Sequence, residues 1–582
     1  MSNTLKLPLE SLKLNVDLAG FEFPTAPKLP ETILGQSRAQ SALEFGIAMS
    51  NPGYNVFVMG EPGLGRLSMI TNYLHAQAKT LPAPPSYAYV DNFGNPREPM
   101  AVELPAEHGQ TLSKDIEKLI DNLLATFPAG SAADVDDAVA AARHAFPAWR
   151  SLPWTERVRL LRRAAALIED RVYDIAAAVA LEVGKNRMEA LGEVQETADL
   201  INWYCDQMQA NDGFVRTLPN DPLVGFVSRN RTVLKPYGVW AVIAPFNFPY
   251  ALAGGPVGAA LVTGNTVVFK LASDTAWSGW LLMEVLRDAG LPDGVVNYVT
   301  GAGATVGQAL VEHPAVDGVT FTGSYEVGMQ IVRASAQRAW PRPCIAEMGG
   351  KNAAIVTRHA DLDRAALGIM RSAFGLQGQK CSACSRVYVE KPVAGALRDK
   401  LVALTRGIAI GDPTQQANWL GPVINAAAYA RYAKCAANLR EHGTVFIGAE
   451  QLKDGALGKG YFVAPTVATA PFDYRLWREE KFIPLVLVGE VDSLDQAIDL
   501  ANASPYGLTA GFYGAGDEIE RFLDRIEAGV TYVNRPQGAT TGAWPGYQPF
   551  GGWKASGTTG KAIGSFWYLP QYLREQSQTV VE

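Results

Sequence analysis

The chain is poor in cysteine and histidine, with five of the former and six of the latter in 582 residues. Thiols this sparse (Cys205, Cys344, Cys381, Cys384, Cys435) cannot build a disulfide framework, and they fit a reducing, cytoplasmic compartment. No apolar run reaches the roughly 18 residues that a spanning helix needs. The N-terminus, Met1-Ser2-Asn3-Thr4-Leu5-Lys6, lacks the apolar core of a signal peptide. There is no internal repeat, no long low-complexity tract and no excess of positive charge. A net charge of −7 implies no general attraction to nucleic acid or to an anionic membrane. What is present, 48% hydrophobic and 19% charged residues, is the balance of a globular protein, and the length predicts three or four domains.

Against that scarcity, one thiol stands out. Gly375-Leu376-Gln377-Gly378-Gln379-Lys380-Cys381-Ser382-Ala383-Cys384-Ser385 places Cys381 after a glycine-containing turn and beside a cation, which favours the nucleophilic thiolate. Upstream, Glu347-Met348-Gly349-Gly350-Lys351-Asn352 offers a carboxylate as base. Pro245-Phe246-Asn247-Phe248-Pro249 offers an amide that can hold an oxyanion. Two readings of Cys381 stand at this point: a nucleophile attacking a carbonyl, or a buried small hydrophobe. Cys384 likewise reads as a packing residue, as a redox partner of Cys381 or as half of a metal site; no second pair and no nearby histidine supports a metal.

The middle of the chain carries short apolar runs suited to parallel strands: Val239–Pro245, Thr266–Lys270, Val295–Val299 and Val319–Ser324. Ligands of such sheets gather at the carboxyl ends of the strands, where Ile243, Lys270 and Ser324 fall, with Gly301, Gly303 and Gly307 after the third run. Ser324 opens a helix from Glu326, as an anion contact or as a cap. Further upstream, helical spacing of Val135, Val139 and Ala142 predicts a helix with Asp134 as N-cap, ended by Ala145-Phe146-Pro147-Ala148-Trp149. A basic amphipathic helix with a solvated face is expected over 157–171, and a third helix closes at Glu182-Val183-Gly184-Lys185.

Residues 1–127 read as a separate unit. Tyr54–Met59 suits a buried strand, followed by Gly60-Glu61-Pro62-Gly63-Leu64-Gly65-Arg66-Leu67-Ser68 and a helical pattern. Strand, glycine loop and helix make a phosphate cradle of Gly60, Gly63, Gly65, Arg66 and Ser68. Arg66 and Leu67 stand where such a loop has Lys and the magnesium-binding hydroxyl. With Pro30–Gln36 and Tyr89-Val90-Asp91-Asn92-Phe93, the segment resembles the N-terminal AAA+ part of Lon-related ATP-dependent proteases, some of which carry Arg in the loop. The resemblance stops near Phe127, short of a second magnesium ligand or a protease Ser-Lys region, so it implies poor nucleotide hydrolysis.

From about Ala132 onward the motifs resemble, in order and spacing, the aldehyde dehydrogenase superfamily. The extended hairpin with which that family begins is replaced by the Lon-like unit, so the chain reads as a fusion. The resemblance implies an α/β fold: a truncated P-loop AAA+-like segment (1–127) and linker (128–131), a Rossmann-type NAD(P)-binding domain (132–346, with an arm hairpin near 213–235), a catalytic domain (347–536), and an anchor loop with a C-terminal oligomerisation strand (537–582). It implies Cys381 as nucleophile, Glu347 as base and Asn247 in the oxyanion site. Cofactor contacts carry over to Ile243, Pro245, Phe246, Lys270, Ser273, Gly303, Gly307, Gly323, Ser324, Gly328, Glu480 and Phe482, with no metal. Ser273 stands where the family has a carboxylate that bonds the ribose 2′-hydroxyl, so NAD is expected with NADP open. The Cys381 segment, with Thr541-Gly542-Ala543 and Gln548–Gly552, resembles the branch that oxidises L-glutamate γ-semialdehyde. Ser382, Gly542, Ala543 and Phe550 are then the substrate contacts, while Trp544-Pro545 departs from an aliphatic pair. The alternatives are another aldehyde or an impaired fusion protein. The C-terminal strand implies a homo-oligomer, or equally a cap on the chain's own sheet.

Overall fold

A computed structural model describes residues 37–49, 56–59, 66–81, 83–90, 100–106, 108, 114, 127–222 and 225–582. Two compact units divide the chain, residues 1–120 and 121–582. No described helix is long and apolar enough to cross a membrane.

The first unit contains the helices Ser37–Ala48 and Arg66–Ala78 and an antiparallel pair, β1 (Ser86–Val90) with β2 (Met100–Leu104). The buried strand expected over 54–59 is not formed by the described part of that run. Its described part, Val56–Met59, is irregular, and Phe57 is 87% exposed. An apolar run becomes a buried strand only where neighbours pair with its edges. The one sheet among this unit's described residues is the β1–β2 hairpin, which leaves the run no partner. Gly60, Gly63 and Gly65 lie outside the described residues, as do Pro30–Gln36 and Asp91–Phe93. Arg66 and Ser68 fall in the first turn of the helix Arg66–Ala78. Without its strand, the strand–loop–helix cradle of a P-loop unit is not supported.

The second unit opens with residues 128–131 tied to Thr300: Gly130 N–H donates to its carbonyl at 3.1 Å, and its hydroxyl donates to the Pro128 carbonyl at 2.6 Å. The first helix is Ala132–Ser151. Its N-cap is Ser131 rather than Asp134, which sits at the third helical position and returns a bond to the Ser131 amide. Nor does Pro147 end it. Phe146 and Trp149 are buried, and the Trp149 indole donates to the Leu261 carbonyl at 3.2 Å, which holds the last turn in place. The next helix, Trp154–Asp170, turns Arg157 inward, not to solvent: its guanidinium caps the Val262 carbonyl at 3.0 Å. Val172–Val183 ends at Gly184, whose φ is +79° and where an added Cβ would meet the Pro422 carbonyl oxygen at 2.8 Å, which leaves no place for a side chain. Helix Arg187–Ala210 follows.

Strands β3 (Val215–Leu218) and β4 (Ser228–Pro236) form an antiparallel hairpin. Then come β5 (Val239–Ile243), β6 (Thr266–Lys270), β7 (Val296–Tyr298), β8 (Gly318–Thr322) and β9 (Cys344–Glu347), a fully parallel sheet in the order β7-β6-β5-β8-β9. The order reverses between β5 and β8, which opens a crevice at the carboxyl ends of the strands. A second sheet has the order β12-β13-β14-β11-β10-β16-β17: β10 Asn352–Val356, β11 Cys384–Glu390, β12 Thr444–Ile447, β13 Thr466–Thr469, β14 Leu485–Val491, β16 Thr509–Tyr513, β17 Val530–Val533. Only the β12–β13 pairing is antiparallel. A small ladder pairs β15 (Tyr506–Gly507) with β18 (Trp553–Lys554). The C-terminal β19 (Leu573–Val581) runs antiparallel to β4 over its whole length, so within the chain it completes the hairpin's sheet.

A buried ion pair ties these parts together. Lys185 and Glu193 bond with both side chains fully buried, and Glu193's second oxygen accepts the Tyr250 and Ala251 amides at 2.8 and 3.2 Å. Those amides open the helix Ala251–Val262, which has no side-chain cap of its own. Glu193→Ala should therefore leave both a buried ammonium and a helix start unpaired. The expected loss is about 3–5 kcal/mol, read as a lower denaturant midpoint.

Candidate active site

At the carboxyl ends of β5, β6 and β8 lies a cavity of about 860 Å³. Ile243, Pro245, Phe246 and Asn247 line it from the turn after β5, and Lys270 and Ser273 from the end of β6. Gly303 and Gly307 line it from a single π-helical turn, Gly323 and Ser324 from the turn after β8, and Glu480 and Phe482 from the second sheet's side. Lys270 is 3% exposed, and among the described residues its ammonium donates only to the neighbouring Leu271 carbonyl, at 2.8 Å. Burial holds its pKa below that of an ordinary lysine. Ser324 is the N-cap of Tyr325–Ala336 and accepts the Val327 amide at 3.3 Å, so its hydroxyl serves as a cap while facing the cavity. Gly328 does not line the cavity. It is the packing contact of that helix, since a Cβ there would meet Met348 Sδ at 2.5 Å.

Cys381 lies on the same cavity wall, half-buried and free. Two non-glycine residues before it, Leu376 and Gln377, hold left-handed φ values of +49° and +55°, a strained approach that places the turn. The turn is clamped through its carbonyls. Asn352, at the start of β10 and in register with Cys384, donates its amide to the carbonyls of Cys381 (2.7 Å) and Ala383 (2.9 Å), and its oxygen accepts the Thr509 amide at 3.0 Å. Thr540 Oγ1 donates to the Ser382 carbonyl at 2.7 Å. The cation next to Cys381 in sequence is paired elsewhere: Lys380 bonds Glu189 at 2.6 Å. Burial, with Glu347 and Glu480 nearby, raises the thiol above its ordinary pKa, against amide hydrogen bonds from Ser382 and Cys381.

Glu347 ends β9, and the four residues 348–351 carry the chain from the first sheet into β10 of the second. Its Oε1 is buried without a hydrogen-bond partner, and burial pushes its pKa up to about 8. Glu480 accepts the Gly350 amide at 3.0 Å and is pushed up to about 7 by burial. A Cβ on Gly349 would sit 1.9 Å from Glu480 Oε2, so a larger residue there would displace the Glu480 carboxylate. Asn247 is 2% exposed. Cys384 is buried in β11, its sulfur donating to the Arg386 carbonyl, and no disulfide joins it to Cys381.

Gly542 and Ala543 sit in the loop after β17, Gly542 with φ +122° and its carbonyl held by Arg535 at 3.0 Å. Thr540, two residues before Gly542, is the residue that bonds the Ser382 carbonyl, so this loop meets the nucleophile turn. Phe550 is half-buried and exchanges backbone bonds with Ile563. These residues and Ser382 do not line the large cavity. Sequence reasoning missed Asn352 and Thr540, which act through backbone carbonyls. It also missed Arg431, a cavity-lining cation from the helix Ala426–His442 that carries no motif.

Comparison with known proteins agrees with this architecture. Residues 106–577 match the aldehyde dehydrogenase family, and residues 86–119 match the Lon-like LonC helical domain, which fits the Lon-related reading of the N-terminal unit. The 1-pyrroline-5-carboxylate dehydrogenase of Geobacillus thermodenitrificans is 39% identical over 455 residues, 76% of this chain and 85% of that protein. The crystal structure of 1-pyrroline-5-carboxylate dehydrogenase from Thermus with bound NAD superposes with a TM-score of 0.73 at 31% identity, covering 91% of this chain and 100% of that one. A 3,6-anhydro-L-galactose dehydrogenase in complex with NAP gives 0.72 at 34% identity, covering 78% and 92%. A family match over most of the chain, on a fold whose crevice carries the free thiol, shows that this protein belongs to the aldehyde dehydrogenase family.

Proposed function

We propose that the chain oxidises L-glutamate γ-semialdehyde to L-glutamate with NAD as acceptor, through a thioester on Cys381. The observation that carries this is the free Cys381 thiol in the wall of a dinucleotide-sized crevice, with Glu347, whose buried Oε1 has no partner among the described residues, near enough to act on the thiol's charge. The lining suits a dinucleotide. Lys270 is a buried ammonium with spare protons, no atom approaches Gly303 within van der Waals contact of an added Cβ, and a helix of 12 residues starts at Ser324. Lys270 and Glu480 would hold ribose hydroxyls, and the Gly323–Ser324 turn the pyrophosphate. Ser273 offers no carboxylate against a 2′-phosphate, so NADP is the second cofactor to try. The amides of Gly542 and Ala543, with Ser382, would hold the substrate carboxylate. The β19–β4–β3 sheet would pair with a second copy of the chain.

The residues would divide the chemistry as follows. Cys381 Sγ attacks the aldehyde carbon, and the thiol proton passes to Glu347. The Asn247 amide and the Cys381 N–H hold the oxyanion. A bound nicotinamide supplies the acceptor for the hydride that leaves that carbon. Glu347, deprotonated again, takes a proton from water whose oxygen attacks the thioester; the carbon–sulfur bond breaks and the carboxylate leaves.

Incubating the protein with a panel of aldehydes and either cofactor tests the reading. Glutamate γ-semialdehyde with NAD should give the highest kcat/KM, and Cys381→Ala should abolish production of reduced nicotinamide. A folded protein that favours simple aliphatic aldehydes would overturn the substrate. Because a base works deprotonated, the hydrolytic step should speed up as pH rises through about 8. Glu347→Gln should remove that limb and lower production of reduced nicotinamide by about 100-fold or more, since the same carboxylate takes the thiol proton and activates the water. Asn352→Ala frees the Cys381 and Ala383 carbonyls and should lower kcat about 100-fold through misplacement of the sulfur, with KM for NAD little changed.

A further inference from the structure

The loop that bears Gly542 and Ala543 continues into Trp544, and this indole is tied across to another element. Its Nε1 donates to Asp199 Oδ2 at 2.7 Å, on the helix Arg187–Ala210. Asp199 is itself held: Gln195 Nε2 donates to its Oδ1 at 3.0 Å and also to Glu169 at 3.2 Å. On the loop side, Trp544 exchanges backbone bonds with Gln548 at 3.1 and 2.9 Å, closing a tight turn. That turn rests on the same helix, for a Cβ on Gly546 would meet Trp203 at 2.9 Å. Arg535 holds the opposite flank through the Gly542 carbonyl and Gln548 Oε1. The two small residues that would face the substrate thus hang between two fixed points, a guanidinium on one side and a carboxylate–indole bond on the other.

We propose that the Trp544–Asp199 hydrogen bond is a specificity latch, which sets the height of the Gly542–Ala543 amides above the nucleophile turn and so selects aldehydes that carry a carboxylate at their far end. This deepens the proposed function and rests on it. Trp544 and Asp199 are positioning residues. They act on binding of the distal carboxylate and leave the attack of Cys381 on the carbonyl alone. The amides of a flexible loop lose affinity for an anion because ordering the loop must then be met at each binding event. An indole N–H to a carboxylate is a charge-assisted bond, so its loss is large enough to read in KM.

The test compares glutamate γ-semialdehyde with hexanal, which has no carboxylate, on the full chain. Trp544→Phe keeps the ring and removes the donor; Asp199→Ala removes the acceptor from the helix side, should the first variant fail to fold. Each should raise KM for the semialdehyde about tenfold, with its kcat and both constants for hexanal unchanged. The double variant should be no worse than either single one. Asp199→Asn leaves one acceptor oxygen for two donors, Trp544 Nε1 and Gln195 Nε2, and should fall between wild type and Asp199→Ala. Calorimetry of L-glutamate binding should show the same tenfold loss without turnover. A KM rise shared equally by hexanal, or additive effects in the double variant, overturns the latch. A wild-type protein that prefers the semialdehyde while the variants do too overturns the latch alone, whereas a wild type with no such preference overturns the substrate reading and the latch with it.

Discussion

A row of carboxylates on one helix is the constraint on which the site's geometry depends. In Arg187–Ala210, Glu189, Glu193, Glu196 and Asp199 follow at helical spacing and share a face. Four like charges turned toward an interior are tolerable only if each is neutralised or satisfied. Glu189 takes Lys380 and the Leu376 amide, Glu193 takes Lys185 and the start of Ala251–Val262, and Asp199 takes the Trp544 indole. Glu196 is pushed up to about 8 by burial, which keeps it mostly neutral at pH 7. Each partner belongs to a different part of the site: the nucleophile turn, the first sheet's helix layer, the loop after β17. One helix thereby fixes three pieces that the chain order keeps far apart.

The second constraint is the shortness of 348–351. Because only four residues separate β9 from β10, the end of the first sheet and the start of the second must lie side by side. Glu347 falls on one side of that step and Asn352 on the other. Asn352 then stands beside the start of β11, where the Cys381 turn arrives, because β10 and β11 are parallel neighbours with Asn352 opposite Cys384. The proximity of base and thiol follows from strand order, with no contact between the two side chains required to enforce it.

Much of this is legible in the order of the amino acids alone. The apolar runs became β5 to β8 with ends shifted by a residue or two, because continuous burial leaves only one kind of side chain tolerable. Gly184, after Glu182-Val183, closes its helix as the sequence implies. Where sequence and structure part, a local signal is outweighed by its surroundings. Asp134 is a good cap, but Ser131 is better placed and forms the reciprocal pair. Pro147 is a helix breaker, yet Trp149 anchored on Leu261 carries the helix past it. Lys380 adjoins Cys381 in sequence, but Glu189, 191 residues away, claims it. The Tyr54–Met59 run has a strand's composition and, among the described residues, no strand to pair with. Asn352 and Thr540 are invisible as functional residues because they grip backbone carbonyls, and no motif records where a carbonyl points.

The pKa values on the two sides of the thiol bear on how such a site survives at rest. Burial raises Cys381, Glu347 and Glu480 together and so favours their neutral forms. A neutral thiol is a poor nucleophile and a poor target for oxidants. A lysine facing the sulfur would have made a standing thiolate, reactive toward any electrophile that reached the crevice. Pairing Lys380 with Glu189 removes that charge and uses it to hold the turn. In the proposed reaction the sulfur is then activated only when substrate and a positively charged cofactor ring occupy the cavity near Glu347, which confines reactivity to the complex that can complete the chemistry.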